Sequence, residues 1–127
     1  MSFDTPRKSA ETILEAWAGL PVAYDNVAFD STAQAEWVRV TVLDGDSFNA
    51  ALGSACVRST GLVTVQVFTE QSKGSAGNRK YADQIAALFN GIVDDGVTYH
   101  AASLTRVGHS EDFYQMNVTI PFQHDIH

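Results

Sequence analysis

The sequence predicts an α+β domain in which two main helices pack on one face of a single, antiparallel-dominated β-sheet. Two observations support this fold class. Two segments carry apolar residues at helical spacing, and several others alternate apolar and polar residues with a period of two. The predicted order is α-β-β-β-α-β-β. We expect residues 1–127 to form one domain, because domains of about 100–150 residues are common.

The first helix is predicted to begin at Thr5-Pro6, since a hydroxyl can cap a helix and proline suits its first position. Gly19 and Pro21 predict its end. Its apolar stripe comprises Ala10, Ile13, Leu14 and Trp17. The second helix has the clearer pattern, formed by Tyr81, Ile85, Leu88, Phe89 and Ile92.

Alternation predicts strands over residues 36–43, 56–68, 97–107 and 114–122, with a brief strand near residues 22–29. In the strand over residues 36–43 the valines share one face of the strand. Asp44-Gly45-Asp46 is expected to break this strand, with residues 47–55 irregular. Asp94-Asp95-Gly96 is expected to form a turn.

A glycine- and serine-rich stretch, residues 72–78, is expected to be a flexible loop between a strand and the second helix. This topology suits a phosphate-binding loop, but the residues do not. In GSAGNRKY (residues 74–81) the lysine follows Arg79, and Tyr81 stands where a magnesium-binding hydroxyl is needed. A mobile surface loop is therefore favoured over nucleotide binding.

Composition excludes further classes of protein. A net charge of −7 argues against nonspecific binding to nucleic acid, which needs a basic surface. The sequence has no apolar run of the length that spans a membrane, and its first residues do not resemble a signal peptide. The single cysteine, Cys56, cannot form an intrachain disulfide, which suits a reducing cytoplasm.

No group of residues predicts catalysis, a cofactor or a metal. His109 and His124 have acidic neighbours, but both lie near a turn or the chain end, so we expect solvated side chains. Cys56 is flanked by apolar residues, which favours an inert core thiol. Asp44, Asp46 and the Asp94-Asp95 pair flank turn glycines. The protein is therefore not expected to be an enzyme.

A polar sheet face is the most informative surface. Thr, Gln and Asn can form hydrogen bonds across an interface without the desolvation cost of buried charge. Two interpretations stay open, an ordinary solvated face and a surface that meets another subunit. The residues are Arg39, Thr41, Thr64, Gln66, Gln115, Asn117 and Thr119.

The order of segments resembles the tail terminator or minor tail proteins of long-tailed bacteriophages, the lambda-like tail-terminator group. The resemblance covers nearly the whole chain. It rests on LPVAYDNVAF (20–29), EWVRVTVL (36–43), VRSTGLVTVQVF (57–68), KGSAGNRKYADQIAALFNG (73–91) and the final strand YQMNVTIPFQHD. The positions that match the group's motifs are Arg58, Gly61, Gly74, Gly77, Asp83 and Phe89.

The resemblance implies a structural protein of a phage or prophage, assembled in the host cytoplasm and then located in the virion tail. Such proteins form a ring, typically a hexamer, that caps the head-proximal end of the tail tube, stops its polymerisation and docks the head. The partners implied are further copies of itself, the tail-tube protein and a head-completion protein, with DNA only passing through and no membrane.

The same resemblance suggests interface residues. Phe89 is interpreted as core, the glycines as backbone requirements, and Arg58 and Asp83 as ion-pair or interface residues, with solvated charge the alternative. Gly74, Ser75 and Gly77 lie in the loop, which we expect to become ordered on assembly.

Two alternative functions remain. A head-completion or head–tail connector protein would share the size and ring symmetry. A cytoplasmic small-ligand binding module would need an apolar pocket with convergent polar groups, and the sequence assembles none.

Overall fold

The computed structural model describes residues 4–17, 19–24, 36–49, 57–70, 75–110 and 113–126. Its elements confirm the α+β class and the predicted order. The segment expected to be one strand over residues 97–107 is divided in two, and a short strand precedes it. The elements are α1 (Thr5–Ala16), β1 (Val22–Ala23), β2 (Trp37–Asn49), β3 (Val57–Glu70), α2 (Ser75–Phe89), β4 (Val93–Asp94), β5 (Val97–Tyr99), β6 (Ser103–Ser110) and β7 (Phe113–Ile126).

β3 and β7 form the antiparallel pair at the centre of the sheet. Each strand has 14 residues, and the two pair along their whole length, from Val57↔Ile126 to Glu70↔Phe113. β2 lies antiparallel on the outer side of β3, and the short β1 runs parallel to β2. On the outer side of β7, β6 pairs with residues 113–119 and β5 with residues 122–124. Across the sheet, the described strands therefore lie in the order β1-β2-β3-β7-β5-β4, and β6 also pairs with β7.

One face of this sheet carries the core, because the predicted alternation places valine and other apolar side chains there. Val38, Val65 and Val67 are fully buried beneath both helices. Leu14 of α1 and Phe89 of α2 are fully buried against them, which confirms Phe89 as a core residue. Both described helices therefore lie on the same face of the sheet.

The start of α1 differs from the prediction. Asp4, not Thr5, is the N-cap residue, and its side chain makes no capping hydrogen bond. Instead, Arg7 donates two hydrogen bonds to the Asp4 carboxylate, at 2.6 and 2.9 Å, and these bonds lower the pKa of Asp4. Pro6 lies in the first turn, as expected.

The expected break at Asp44-Gly45-Asp46 is wrong. β2 runs through these residues to Asn49, and its register against β3 shifts between Asp44 and Ser47. Between these pairs, Gly45 and Asp46 of β2 stand opposite the single residue Thr60 of β3, which is the pattern of a β-bulge. The pairing partner β3 keeps the strand extended where local turn preference favours an end. Residues 50–56, with Cys56, lie outside the described residues.

The expected loop is also partly wrong, because α2 begins at Ser75 and so includes Gly77 and Asn78. Asn78 is fully buried, and its amide nitrogen donates toward three oxygens at 3.1 Å: the carbonyls of Val67 and Tyr114 and the hydroxyl of Thr69. This contact attaches the first turn of α2 to both central strands. At the other end α2 stops at Phe89, so Ile92 lies beyond it and is 39% exposed.

The interpretation of His124 as a solvated residue is wrong. β7 runs to Ile126, and the His124 ring is fully buried on the core face beside Ser59 and Val97 of the neighbouring strands. Neither ring nitrogen has a hydrogen-bond partner among the described residues. Burial lowers the pKa of His124 below its usual 6.5, against the opposing effect of Asp95.

The turn at Asp94-Asp95-Gly96 is confirmed. Asp95 and Gly96 join β4 to β5 with φ values of 51° and 79°, the positive pair typical of a two-residue type I′ hairpin. The hairpin brings Asp94 within 2.6 Å of the Ser9 hydroxyl, which also accepts a hydrogen bond from the buried Tyr99 hydroxyl at 2.7 Å. This chain of hydrogen bonds links α1 to the edge of the sheet.

Gly61 and Gly77 are expected to respond in opposite ways to alanine. A Cβ at Gly61 would collide with the Leu43 carbonyl oxygen and stand 2.6 Å from Phe122 Cζ, so Gly61→Ala should lower the free energy of unfolding by about 1–3 kcal/mol. Of the described residues, none lies within 4 Å of a Cβ at Gly77. Because alanine favours a helix more than glycine does, Gly77→Ala should raise the free energy of unfolding by about 0.5–1 kcal/mol. Urea denaturation measures both; equal effects would contradict this.

Aspartate has the shape of asparagine, but a carboxylate oxygen would replace the Asn78 amide nitrogen that donates to two carbonyl oxygens. An acceptor would then face two acceptors. Asn78→Asp should lower the free energy of unfolding by about 3 kcal/mol or more. The matched control is Asn90→Asp, which adds the same charge at an exposed position past the end of α2 and should cost at most about 1 kcal/mol. Comparable losses in the two variants would refute the proposed attachment of α2.

Acid should destabilise the protein through His124. Below about pH 6.5 the unfolded chain binds a proton that the folded chain resists, so the free energy of unfolding falls as pH decreases from there. His124→Gln should reduce this loss between pH 8 and pH 5, measured by denaturation at each pH. His100→Gln, at an exposed residue, is the control and should retain the wild-type loss. An unchanged pH dependence in His124→Gln would show that His124 does not cause the loss of stability in acid.

Candidate protein–protein interface

The face of the sheet opposite the helices is the candidate site, and we call it the open face. It consists of the odd-numbered residues 37–43 of β2 and 115–123 of β7, with the even-numbered residues 60–68 of β3 between them. Since both described helices pack on the core face, these side chains point away from the hydrophobic core. They form rows across the strands.

An aromatic row lies at one end of the open face. The rings of Trp37 and Phe68 are stacked, with centroids 4.2 Å apart and planes 13° from parallel. The Arg39 guanidinium lies 5.3 Å from the centroid of the Trp37 ring, within the range of a cation–π contact. Gln115 continues this row on β7 and is 8% exposed.

Two polar rows occupy the middle, and they contain the residues predicted from the sequence other than Gln115. The registers place Arg39, Gln66 and Asn117 side by side, and Gln115 Nε2 donates to Asn117 Oδ1 at 2.9 Å. The next row is built of hydroxyls. β6 extends both rows by one strand, since Thr105 pairs with Asn117 and Ser103 with Thr119. The hydroxyl row comprises Thr41, Thr64, Thr119 and Ser103.

An apolar row follows, and sequence reasoning did not include it in the candidate interface. Leu43 and Leu62 pair across β2 and β3 and are 52% and 39% exposed, with Pro121 next to them on β7. The signal was available, because these leucines occupy the same alternating positions as the predicted polar residues. Exposed leucines beside polar rows form the mixed composition typical of protein–protein interfaces.

Arg58 lies beyond this apolar row, near the end of the central ladder. Its guanidinium donates to both carboxylate oxygens of Asp125, at 2.8 and 3.2 Å, and the two residues are direct neighbours across the strands. The ion-pair interpretation of Arg58 is thus confirmed, with Asp125 as its partner. Both side chains are about one third exposed, so the pair contributes little to stability and mainly orients the two groups.

The open face is nearly free of charge. Within the residues that define it, Arg39 is the one charged side chain, although the whole chain has a net charge of −7. Amides and hydroxyls can be buried against a partner with little electrostatic cost, provided that they find hydrogen bonds there. The open face is therefore suited to contact with another protein.

The remaining predicted residues do not join the open face. Gly77 and Asp83 lie on α2, which covers the core face, and Ser75 is the first residue of that helix. Gly74 lies outside the described residues. Asp83 is exposed and borders a groove between α2 and the start of β6. The predicted residues thus fall on two surfaces.

Other kinds of site find no support in the described part of the chain. No group of three or more His, Cys, Asp and Glu side chains converges there as metal ligands would. Two shallow cavities of about 230 and 150 Å³ lie along α2, with alanines prominent in their walls. Among the described helices, none has both the length and the apolar character needed to cross a membrane.

Solved structures of other proteins share the fold of this chain. None of the curated proteins matches the sequence significantly. A solved structure without a descriptive name aligns with 100% of this chain and 98% of its own, at 23% identity and a TM-score of 0.76. A chain from the virion of a native gene transfer agent particle aligns over 94% of each chain, at 18% identity and a TM-score of 0.62. These likenesses show that the fold is shared.

A family model, phage tail terminator protein, matches residues 7–122. The match runs from the first turn of α1 to Phe122 of β7, so it includes β2, β3 and most of β7. It confirms the family that the sequence motifs suggested. The chain belongs to the phage tail terminator family, whose members are structural components of the virion tail.

Proposed function

We propose that this protein forms a homo-oligomeric ring, a hexamer, that caps the head-proximal end of the tail tube. The ring stops polymerisation of the tube protein and offers a docking surface to the head-completion protein. Membership of the tail terminator family is the observation that carries the proposal. The protein acts as a single domain, without catalysis or a cofactor, and DNA only passes through the ring.

The chemistry of the open face supports a role in contacts with the tube or with neighbouring subunits. A ring cap needs one surface for each neighbour and further surfaces for the tube and the head. The open face offers rows of uncharged hydrogen-bonding groups beside exposed Leu43 and Leu62. Gly74 and Ser75 remain our candidates for contact residues in the assembly, with Asp83 and the Arg58–Asp125 pair at the margins of the contacts.

The family match favours the terminator over a head–tail connector. The experiment that separates them mixes the purified protein with purified tail tubes and, separately, with tail-less heads. Negative-stain microscopy and mass measurement then show where it binds. Rings on one end of the tubes would support the terminator, whereas rings on the heads alone would support the connector. Failure to bind tubes under any condition would overturn the proposal.

Charge placed in the hydroxyl row should abolish capping without unfolding the protein. In the double variant Thr41→Lys, Thr119→Lys, the two ammonium groups are separated by β3 and would be desolvated wherever the open face meets a partner. Phage carrying this variant should produce tails of irregular, extended length, measured in micrographs of lysates. Thr12→Lys, on the exposed side of α1, is the control and should leave tail length unchanged. Tails of normal length in the double variant would remove the open face from the capping contacts.

A further inference from the structure

Within the described residues, the sheet has two long edges without a further strand. β6 pairs only with β7, so among the described residues its other edge has no strand beside it. At the opposite side of the sheet, the described residues of β1 pair with β2 at Val38 and Arg39. The rest of β2, as far as Asn49, has no further strand partner in the described part of the chain.

These edges carry only part of the protection of a free strand: each has a charged side chain and a register shift, between Asp44 and Ser47 on β2 and between Arg106 and Gly108 on β6. Natural edge strands are blunted by charge, by proline or by a covering element, because unpaired backbone groups recruit other strands. β6 has eight residues, contains no proline, and exposes Leu104 and Val107 by 41% and 49%. On β2, Leu43, Asp44 and Gly45 are exposed as well. As far as the described residues go, both edges therefore keep backbone groups that could pair with another strand.

The directions of the strands make the two edges compatible. β2, β3, β7 and β6 are each antiparallel to the next, so β6 runs opposite to β2. A rotation about a ring axis roughly parallel to the strands preserves these directions. It would place β6 of one copy antiparallel to β2 of its neighbour, the same relation that every long pair in the sheet has. Antiparallel addition of this kind needs no change of fold.

The charges of the two edges are complementary. Residues 43–49 of β2 contain two aspartates and no base, whereas residues 103–110 of β6 contain Arg106 and no acid. Asp44 and Arg106 are both exposed, and the registers place both on the core-face side of their strands. Pairing β6 with β6 of a second copy would instead bring two Arg106 side chains together, which is unfavourable.

The groove beside α2 supports the same arrangement. It is bordered by Ala82, Ala86 and Leu104, where α2 packs on β7 and leaves the start of β6 uncovered. A strand added to β6 would extend the core face toward this groove and cover part of the exposed Leu104 side chain. Burial of apolar surface would then contribute to association together with the backbone hydrogen bonds.

We propose that β2 of one copy, over residues 43–47, pairs antiparallel with β6 of the next copy, so that the sheets of neighbouring subunits join edge to edge. Asp44 of one subunit then faces Arg106 of the other. This inference rests on the proposed homo-oligomer and names its subunit contact. The contact is heterologous, as a closed ring requires, since the two edges differ.

Cysteine cross-linking tests the pairing directly. Cys56→Ser removes the single native thiol, and Asp44→Cys and Arg106→Cys are then introduced into separate preparations. Mixing the two under oxidising conditions at ring-forming concentration should yield a disulfide-linked dimer, while each alone stays monomeric on a non-reducing gel. Cross-linking of Arg106→Cys with itself would overturn the proposal in favour of a symmetric β6–β6 contact.

Charge reversal supplies the second test. Arg106→Glu should raise the protein concentration needed for half-maximal ring formation about tenfold or more, measured by mass photometry. Adding Asp44→Arg to the Arg106→Glu variant should return this concentration to the wild-type value. Arg79→Glu, on the exposed surface of α2, makes the same change of charge and should have little effect.

The outcomes separate this inference from the proposed function. If wild-type protein forms no ring with or without tubes, the proposed function fails. If rings form, but Arg106→Glu leaves them unchanged and the cysteine variants do not cross-link, the edge pairing alone is overturned. Folding of each variant is checked by its denaturation midpoint, so loss of rings from an unfolded variant does not count as support.

Discussion

The full-length antiparallel pairing of β3 with β7 is the constraint on which the rest of the structure depends. Fourteen consecutive residue pairs set one register for the whole sheet. Because side chains alternate along a strand, a slip of one residue would exchange the two faces entirely. β2 on one side and β5 and β6 on the other adopt their positions relative to this ladder. Asn78 then attaches α2 to it by donating to a carbonyl of each central strand.

This single register accounts for the contrast between the two faces. On one face the valines of β2 and β3 meet Val118 and Ile120 of β7 and are buried by the helices. On the other, amides and hydroxyls line up in rows, with almost no charge among them. The same strands therefore supply both the free energy of folding and the surface offered to other proteins. A tail protein that must be stable and also bind neighbours can meet both needs with one sheet.

Sequence reasoning succeeded where local patterning and tertiary packing agree, as in the alternation of β3 and β7 and the apolar stripe of α1. It failed where a partner strand or a buried contact overrode local preference. Asp44-Gly45-Asp46 has the composition of a turn, yet pairing with β3 keeps it in a strand with a bulge. Gly77 disfavours a helix, yet the buried Asn78 holds that turn of α2 in place. His124 stands near the chain end, yet β7 continues through it as a paired strand.

The amino-acid sequence by itself determined the fold class, the order of elements, the composition of the polar face and, through its motifs, the family. Each of these depends on local periodicity or on residue identity, which are present in the chain before it folds. Only the tertiary structure decided the partner of Arg58, the pairing of Leu43 with Leu62 in one row, and which strands lie at the sheet edges. These features depend on strand order and register, and pairings between residues far apart in the chain set both.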